Sequence, residues 1–347
     1  MNAKTLVLHT ARALGLFALA RWRTRHWIRI LCYHGGCAAD ESSFNPKLFC
    51  TRAHFVDRLA WLQRKRFTPM RLSEAVHAVQ TRRRSGVLPV VVTVDDGWHS
   101  SRADIIEPAL SRGFPVTLYV ATEVLVAQTP VIDVTVRYLV WRAGKEQVVV
   151  DGLSGMPQGS YRLSVDAERQ AFTAAGIARL KALARQQPAE LVDAVHSLAA
   201  LLGVKLQDLD LVSRRFSYLR GDELVQISAQ GCSVELHGHA HIYPLGDPQA
   251  LHDDIAACQA TLLALGLPQP QHYCFPSGEH DVHAPAVLRH LRVASATTCL
   301  PGLVDPADPA VSVHCLPRFL DGGDVSSIEF EAEMSGLLHY IRRLLRR

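Results

Sequence analysis

No aspartate or glutamate precedes Asp40, although Lys4, Arg12, Arg21, Arg23, Arg25 and Arg29 do. The chain also has no C-x-x-C pair. Its cysteines (Cys32, Cys37, Cys50, Cys232, Cys258, Cys274, Cys299 and Cys315) follow no compact spacing, and several sit in apolar runs, as at Cys274 and Cys315. That pattern argues against a disulfide framework and fits buried thiols in a reducing compartment. No internal repeat or low-complexity tract stands out, so a repeat architecture has no support. Aromatics make up 7% of the chain and the net charge is only +4, with no basic stripe interleaved with aromatics, which argues against a nucleic-acid partner.

What is present points to a globular catalytic domain. An apolar fraction of 48% against 20% charged residues excludes disorder and a polytopic membrane protein. The 347 residues suffice for an α/β barrel, which needs about 250, with an insertion. Residues 1–27 read as a basic amphipathic helix. Its apolar run, Ala13 to Ala20, falls far short of the ~20 residues that span a bilayer. The run ends in an A-x-A-like triplet, but removing it leaves about five apolar residues, below the usual signal-peptide core of roughly 7 to 15. A membrane-facing or core-docking helix is the preferred reading, and secretion the lesser one. Arg342, Arg343, Arg346 and Arg347 close the chain in a second basic helix, 326–347. Basic ends on a balanced body suggest peripheral contact with an anionic membrane or glycolipid. The expected location is cytoplasmic, at or near the inner membrane surface.

Between these ends the pattern alternates. Strands are expected at Ile28 to Tyr33, Val90 to Val94, Val116 to Val120, Cys232 to Leu236, Gln271 to Phe275, near Ala294 and near Val311. Helices are expected at His54 to Arg64, Leu72 to Val79, Ala103 to Arg112, Asp222 to Gln230, Pro248 to Leu265 and Ala284 to His290. Such alternation signals a parallel α/β fold, here a deformed (β/α) barrel of about seven strands over residues 28–325. It weakens over 123–215, where a hairpin around Val148 to Leu163 and two helical stretches split at Gln186-Gln187-Pro188 read as a mainly helical insertion.

Two passages carry chemistry. Val90-Val91-Val92-Thr93-Val94 is a buried-strand run stopped by Asp95-Asp96-Gly97, because adjacent charges cannot share an apolar interior. Ser233-Val234-Glu235-Leu236 leads likewise into His237-Gly238-His239-Ala240-His241. His237 and His241, four apart, can turn both imidazoles to one ion, with Asp96 as a carboxylate ligand and a position left for water. The register using His239 and position 243 would need Tyr243, a phenol, as ligand and is less suited. Asp95 is then the candidate general base and His239 faces away. The donor set suits one divalent cation, zinc first among them.

Thr93-Val94-Asp95-Asp96-Gly97 resembles the first motif of the polysaccharide deacetylase family (NodB-homology domain, carbohydrate esterase family 4). His237-Gly238-His239-Ala240-His241 is similar to its H-[S/T]-x-x-H motif, with Gly in the second place. Resemblance spans about Ile28 to Leu320 outside the insertion. It implies metal-dependent removal of N- or O-acetyl groups from sugars by attack of activated water, with Asp95 as base and Asp96, His237 and His241 as metal ligands. Tyr273-Cys274-Phe275-Pro276-Ser277-Gly278 resembles the third motif, a wall of the substrate groove, so Tyr273, Pro276, Ser277 and Gly278 are expected to bind substrate. The arginine that many members carry there is missing, and Arg318 is the candidate to orient the base instead. The late Leu-x-His motif is missing too; His314 is the candidate acid in place of His339, and His34, at the end of the first strand, a groove residue.

The expected function is thus a carbohydrate deacetylase acting on a bacterial surface-polysaccharide or glycolipid precursor. Two readings compete: a deformylase on a lipid-linked amino sugar, and a catalytically weak carbohydrate-binding protein on the same fold.

Overall fold

The β-branched and apolar runs that read as strands do form a parallel sheet. In the computed structural model, which describes residues 3–84, 86–127, 129–151 and 155–345, ten strands occur among the described residues: β1 (Arg29–Tyr33), β2 (Thr68–Pro69), β3 (Pro89–Val94), β4 (Val116–Val120), β5 (Gln147–Val150), β6 (Gly159–Arg162), β7 (Ser233–Leu236), β8 (His272–Cys274), β9 (Ser295–Thr297) and β10 (Phe319–Leu320). Eight of them make one sheet, ordered β10-β1-β3-β4-β7-β8-β9, with the two-residue β2 beside the start of β3 and every pairing parallel. β1, β3 and β4 are buried along their whole length, as strands covered on both faces must be.

The ends of this curled sheet approach each other through one stretch of chain. Ala296 donates to the Val313 carbonyl and Thr298 to the Leu316 carbonyl, so the residues before β10 run along β9, while β10 itself pairs with β1. The result is a deformed barrel of seven main strands. The strand expected near Val311 is not formed; Val311 closes a turn on Asp308, and regular pairing begins only at β10.

Chain contacts divide the protein into two units. The barrel unit contains residues up to Gly97, Ser101–Glu123 and everything from Gly221 on; the second holds Trp98–Ser100 and Val124–Arg220. In the second unit β5 and β6 form an antiparallel hairpin, and helices Asp166–Gln186 and Leu191–Leu202 are parted at Pro188, which cannot donate the backbone hydrogen bond a continuous helix needs.

The chain ends differ from single helices. The N-terminal segment is two helices, Ala3–Ala13 and Leu16–Arg23, bent by 73° at a break where Gly15 adopts φ 76°. The C-terminal segment is Ser327–Ser335 and Leu337–Leu345, broken at Gly336, φ 87°. Arg346 and Arg347 lie outside the described residues. Arg29, at the buried start of β1, ties both ends to the barrel: its guanidinium donates to the Thr24 carbonyl (2.7 Å), the Thr24 hydroxyl (2.6 Å) and the Met334 carbonyl (3.1 Å).

One buried acid in the sheet has a pH consequence. Glu235 of β7 accepts from the Gln271 and His272 amides (2.6 and 2.8 Å) and from the Ser233 hydroxyl (2.6 Å), yet burial pushes its carboxyl up to about 7. A group that titrates higher folded than unfolded contributes its stability below the unfolded value, near 4.5, and loses it as pH rises through about 7. The loss is worth about 3 kcal/mol. Neighbouring His272, which burial pushes down to about 4, works in the opposite sense, so the wild-type profile alone is ambiguous. The diagnostic quantity is the stability of Glu235→Gln relative to wild type in urea titrations. It should move in the variant's favour by about 3 kcal/mol between pH 4.5 and 7. A difference independent of pH would show that Glu235 is not held neutral by the fold.

Candidate functional site

The end of β3 sets two carboxylates in different directions. Asp95 still donates its amide to the Tyr33 carbonyl in register with β1 (2.9 Å), and then Asp96 and Gly97 both take left-handed backbone, φ 70° and 74°. Positive φ at a non-glycine costs on the order of 1 kcal/mol and persists where neighbours enforce it. Here it sends the Asp95 side chain to Arg318 and the Asp96 side chain to the histidine loop.

That loop follows β7. The His237 Nδ1 lies 2.9 Å from the Cys274 carbonyl, which can only accept, so Nδ1 carries hydrogen and Nε2 faces Asp96 Oδ1 at 3.1 Å. His241, also in left-handed backbone at φ 56°, brings its Nε2 to 3.2 Å from the same oxygen. The two rings lie 4.8 Å apart between centroids. Burial opposes ionisation of Asp96, but the imidazoles of His241 and His237 outweigh it and hold the carboxyl well below the usual range. Three donor atoms of Asp96, His237 and His241 converge within 4.8 Å, and His241 stands at the solvent edge with 36% of its side chain exposed. This donor set fits a divalent cation: one nitrogen is fixed in tautomer by a backbone carbonyl and one side is open to water.

The departure at Gly238 has a structural cause. A Cβ there would stand 2.7 Å from Asp254 Oδ2, and the backbone is left-handed at φ 78°. Asp254 fills that space to accept from the His239 and Ala240 amides (2.9 and 2.8 Å), pinning the loop between the two metal-ligand candidates. His239 turns away, Nδ1 to the Thr122 hydroxyl at 2.8 Å. Placing a hydroxyl there with Gly238→Ser should therefore destabilise the fold by about 1–3 kcal/mol in a urea titration. An unchanged midpoint would show that the loop tolerates a side chain.

Asp95 is gripped in the barrel mouth. Arg318 Nη1 and Nη2 donate to Oδ1 and Oδ2, each at 2.7 Å, in a bidentate fork. The guanidinium is itself fixed by the Thr298 carbonyl (3.1 Å) and the Thr93 hydroxyl (3.0 Å), and lies over the Tyr119 ring at 5.6 Å. The thiols of Cys32 and Cys274 both approach Asp95 Oδ2 at 3.5 Å. Burial opposes the charge on Asp95, but Arg318 outweighs it and holds the carboxyl far below its ordinary value, so it is a carboxylate at neutral pH. Burial also pushes the Cys32 thiol up, which keeps it a neutral donor.

The remaining sequence candidates separate. His34 comes to the site: its Nε2 is 4.0 Å from Asp95 Oδ2, and burial pushes its imidazole down against the pull of Asp96 and Asp95. Pro276 is buried beside the Gly238 position, Ser277 is exposed at the rim in left-handed backbone (φ 55°), and Gly278 lies against Cys299. Tyr273 does not line the mouth. It is fully buried and stacks edge-on against Phe275, because its neighbour Cys274 takes the inward-facing position of β8. His314 is not brought to Asp95 or Asp96. Its Nε2 pairs with the Val293 carbonyl at 3.0 Å, two residues before β9 begins, at the opposite end of that strand from the site. His339 accepts from the Leu303 amide and packs on Trp27.

Sequence reasoning missed the two thiols and Asp254. Cys32 and Cys274 sit at strand ends, each two residues before His34 and Pro276 respectively, which was the available signal; nothing in the spacing of Asp254 marked it.

No family model matches the chain, and no curated protein does. Solved structures with the same fold are found at low identity. The chain is similar to the deacetylase PplD of Streptococcus pyogenes, solved in complex with acetate (TM-score 0.58, 12% identity, 90% of this chain and 99% of that one). It is similar to IcaB of Ammonifex degensii (0.54, 15%, 89% and 97%) and to a de-N-acetylase of Aggregatibacter actinomycetemcomitans (0.51, 10%, 88% and 99%). The fold is that of these proteins, two of them named as deacetylases.

Proposed function

We propose that the protein removes an acetyl group, N- or O-linked, from a carbohydrate, using one divalent cation, zinc by preference, held by Asp96, His237 and His241. One arrangement carries this reading: Asp96 Oδ1 lies 3.1 and 3.2 Å from two imidazole nitrogens while the adjacent carboxylate, Asp95, is claimed by Arg318. A structural ion site would be closed by protein, whereas this one is open beside His241. The fold shared with deacetylases, one of them named a de-N-acetylase and another bound to acetate, supports the same reaction class. When bound, the cation supplies Lewis acidity, lowering the pKa of water and drawing charge from the acyl oxygen.

The chain's own residues account for the proton movements. Asp95 takes the proton from the attacking water; Arg318 keeps its carboxylate aimed and unprotonated beforehand, with the two thiols against Oδ2. As the bond between the acyl carbon and the sugar nitrogen or oxygen breaks, that leaving atom needs a proton. The proton Asp95 has taken is the one to deliver, and His34, whose Nε2 lies 4.0 Å from Asp95 Oδ2, is the imidazole placed to relay it. His34→Gln should lower kcat about 100-fold, whereas His314→Gln should leave it within about twofold. Equal losses in the two variants would remove His34 from this role.

The functional test is acetate release from N- and O-acetylated oligosaccharides by the zinc-loaded full chain, followed by mass spectrometry, with N-formylated analogues alongside. Deacetylated product with stoichiometric acetate is expected. Release of formate alone would move the assignment to a deformylase, and binding without any product would reduce the protein to a carbohydrate-binding one.

A further inference from the structure

We propose that the two ends of the chain form a docking face for an anionic lipid bilayer. The face stands on geometry separate from the site, so the proposal does not depend on the deacetylase reading. Helix Leu16–Arg23 turns Phe17 and Ala20 into the body, while Leu16, Leu19 and Trp22, at three-residue spacing, are 41%, 53% and 61% exposed. Helix Leu337–Leu345, which packs against it, places Leu337 and Leu338 on the cluster of Leu8, Phe17, Ile328 and Ala332. The same face then runs on into solvent with Ile341, Leu344 and Leu345, the last two 70% and 82% exposed. Scattered exposed leucines need no explanation, but apolar stripes on two touching helices do.

Charge selects the partner. No acid occurs before Asp40 or after Glu333, so the helices that carry the apolar stripes bear only positive charge. The acids of the intervening helix Ser327–Ser335 are occupied: Glu329 by Lys4, Glu331 by Arg12 and Glu333 by Arg342. Arg23 and Arg343 remain exposed beside the apolar residues. An apolar strip flanked by arginines, with a tryptophan on it, matches the boundary between acyl chains and anionic headgroups. A second copy of this chain would set arginine against arginine. Length selects the mode: among the described residues no single helix is long and apolar enough to cross a membrane, and the 11- and 8-residue N-terminal helices, which reach that length and apolarity only as a pair, meet at 73°. At about 1.5 Å per residue neither approaches the ~30 Å hydrocarbon thickness, so they lie in the interface. The Arg29 bonds to Thr24 and Met334 hold this face to the start of β1, whereas the site lies past its other end, so docking leaves the mouth open.

The test is flotation of the full chain with vesicles of phosphatidylethanolamine and phosphatidylglycerol, against vesicles of phosphatidylcholine alone. The protein should float with the anionic vesicles, at least about tenfold less with the neutral ones, and be released by high salt. Trp22→Glu and Leu344→Glu should each abolish flotation with an unchanged thermal melt and unchanged turnover on soluble oligosaccharide. Should either fail to fold, the paired Arg23→Glu and Arg343→Glu variant should do the same. Absence of flotation, equal binding to neutral vesicles, or full binding by the variants would overturn the proposal. So would resistance to alkaline carbonate, which marks a spanning segment, or a stable dimer lost in Trp22→Glu without lipid binding.

Discussion

Asp95→Asn should slow turnover by about 10³-fold while leaving metal binding unchanged. Asparagine keeps the shape and one acceptor oxygen, so the histidine loop and Asp96 are undisturbed, but it cannot take a proton from water; general bases of this kind contribute about 10²–10⁴. The adjacency of the two aspartates makes the contrast sharp. Asp96 pairs with both His237 and His241, whereas Asp95 is bonded to Arg318, Cys32 and Cys274. Asp96→Asn should therefore lose the ion as well as activity. Atomic absorption and acetate release on the same preparations separate the outcomes, and joint loss of metal and activity in Asp95→Asn would refute the division of labour.

The second large effect is on folding. Arg318→Met leaves the Asp95 carboxylate buried without its cation, and breaking a buried pair from one side costs about 3–5 kcal/mol. The pH dependence should also invert. In the wild type Arg318 holds the Asp95 carboxyl below its ordinary value. Its contribution is therefore present above the unfolded pKa, near 3.8, and lost as pH falls through the lower folded value. Without Arg318, burial dominates and pushes the carboxyl up, so the variant should gain stability relative to wild type as pH falls toward that of the protonated acid. Removing the orphaned charge in the double variant Asp95→Asn/Arg318→Met should recover most of the loss. Urea titrations of the four proteins measure this, and strict additivity of the two single losses would show that the pair is not coupled.

Much of this architecture was written locally. Val90 to Val94 and Val116 to Val120 announce buried strands because β-branched residues fit a pleated surface covered on both faces, and the carboxylates mark where the first must end. The helix ends were less legible. Gly15 and Gly336 interrupt apolar periodicities that otherwise continue, and whether a glycine bends a helix depends on what the next segment packs against.

The mouth shows the same boundary between local and distant information. Asp96, His237 and His241 follow strands with recognisable spacing. The grip of Arg318 on Asp95 joins residues 223 apart in sequence and arises only when the segment before β10 lies along β9. That alignment also decides against His314. Val313 and Leu316 both bond Ala296 across a turn, which leaves His314 directed back to Val293 before β9 begins, while Arg318, two residues past Leu316, reaches Thr298 beyond its end. Sequence distance from the motif was nearly the same for both; the turn at Ser312 to Cys315 and position along β9 separated them. His34 was placed at the end of the first strand by its sequence, but its approach to Asp95 depends on β1 lying next to β3.

The most direct test of the central claim is zinc stoichiometry, by inductively coupled plasma mass spectrometry, on wild type, His237→Ala and Asp95→Asn purified and dialysed together. The expected result is about one equivalent in wild type and in Asp95→Asn and near none in His237→Ala, as three convergent ligands around an open position require. One equivalent retained by His237→Ala, or none in the wild type after exposure to zinc, would contradict it.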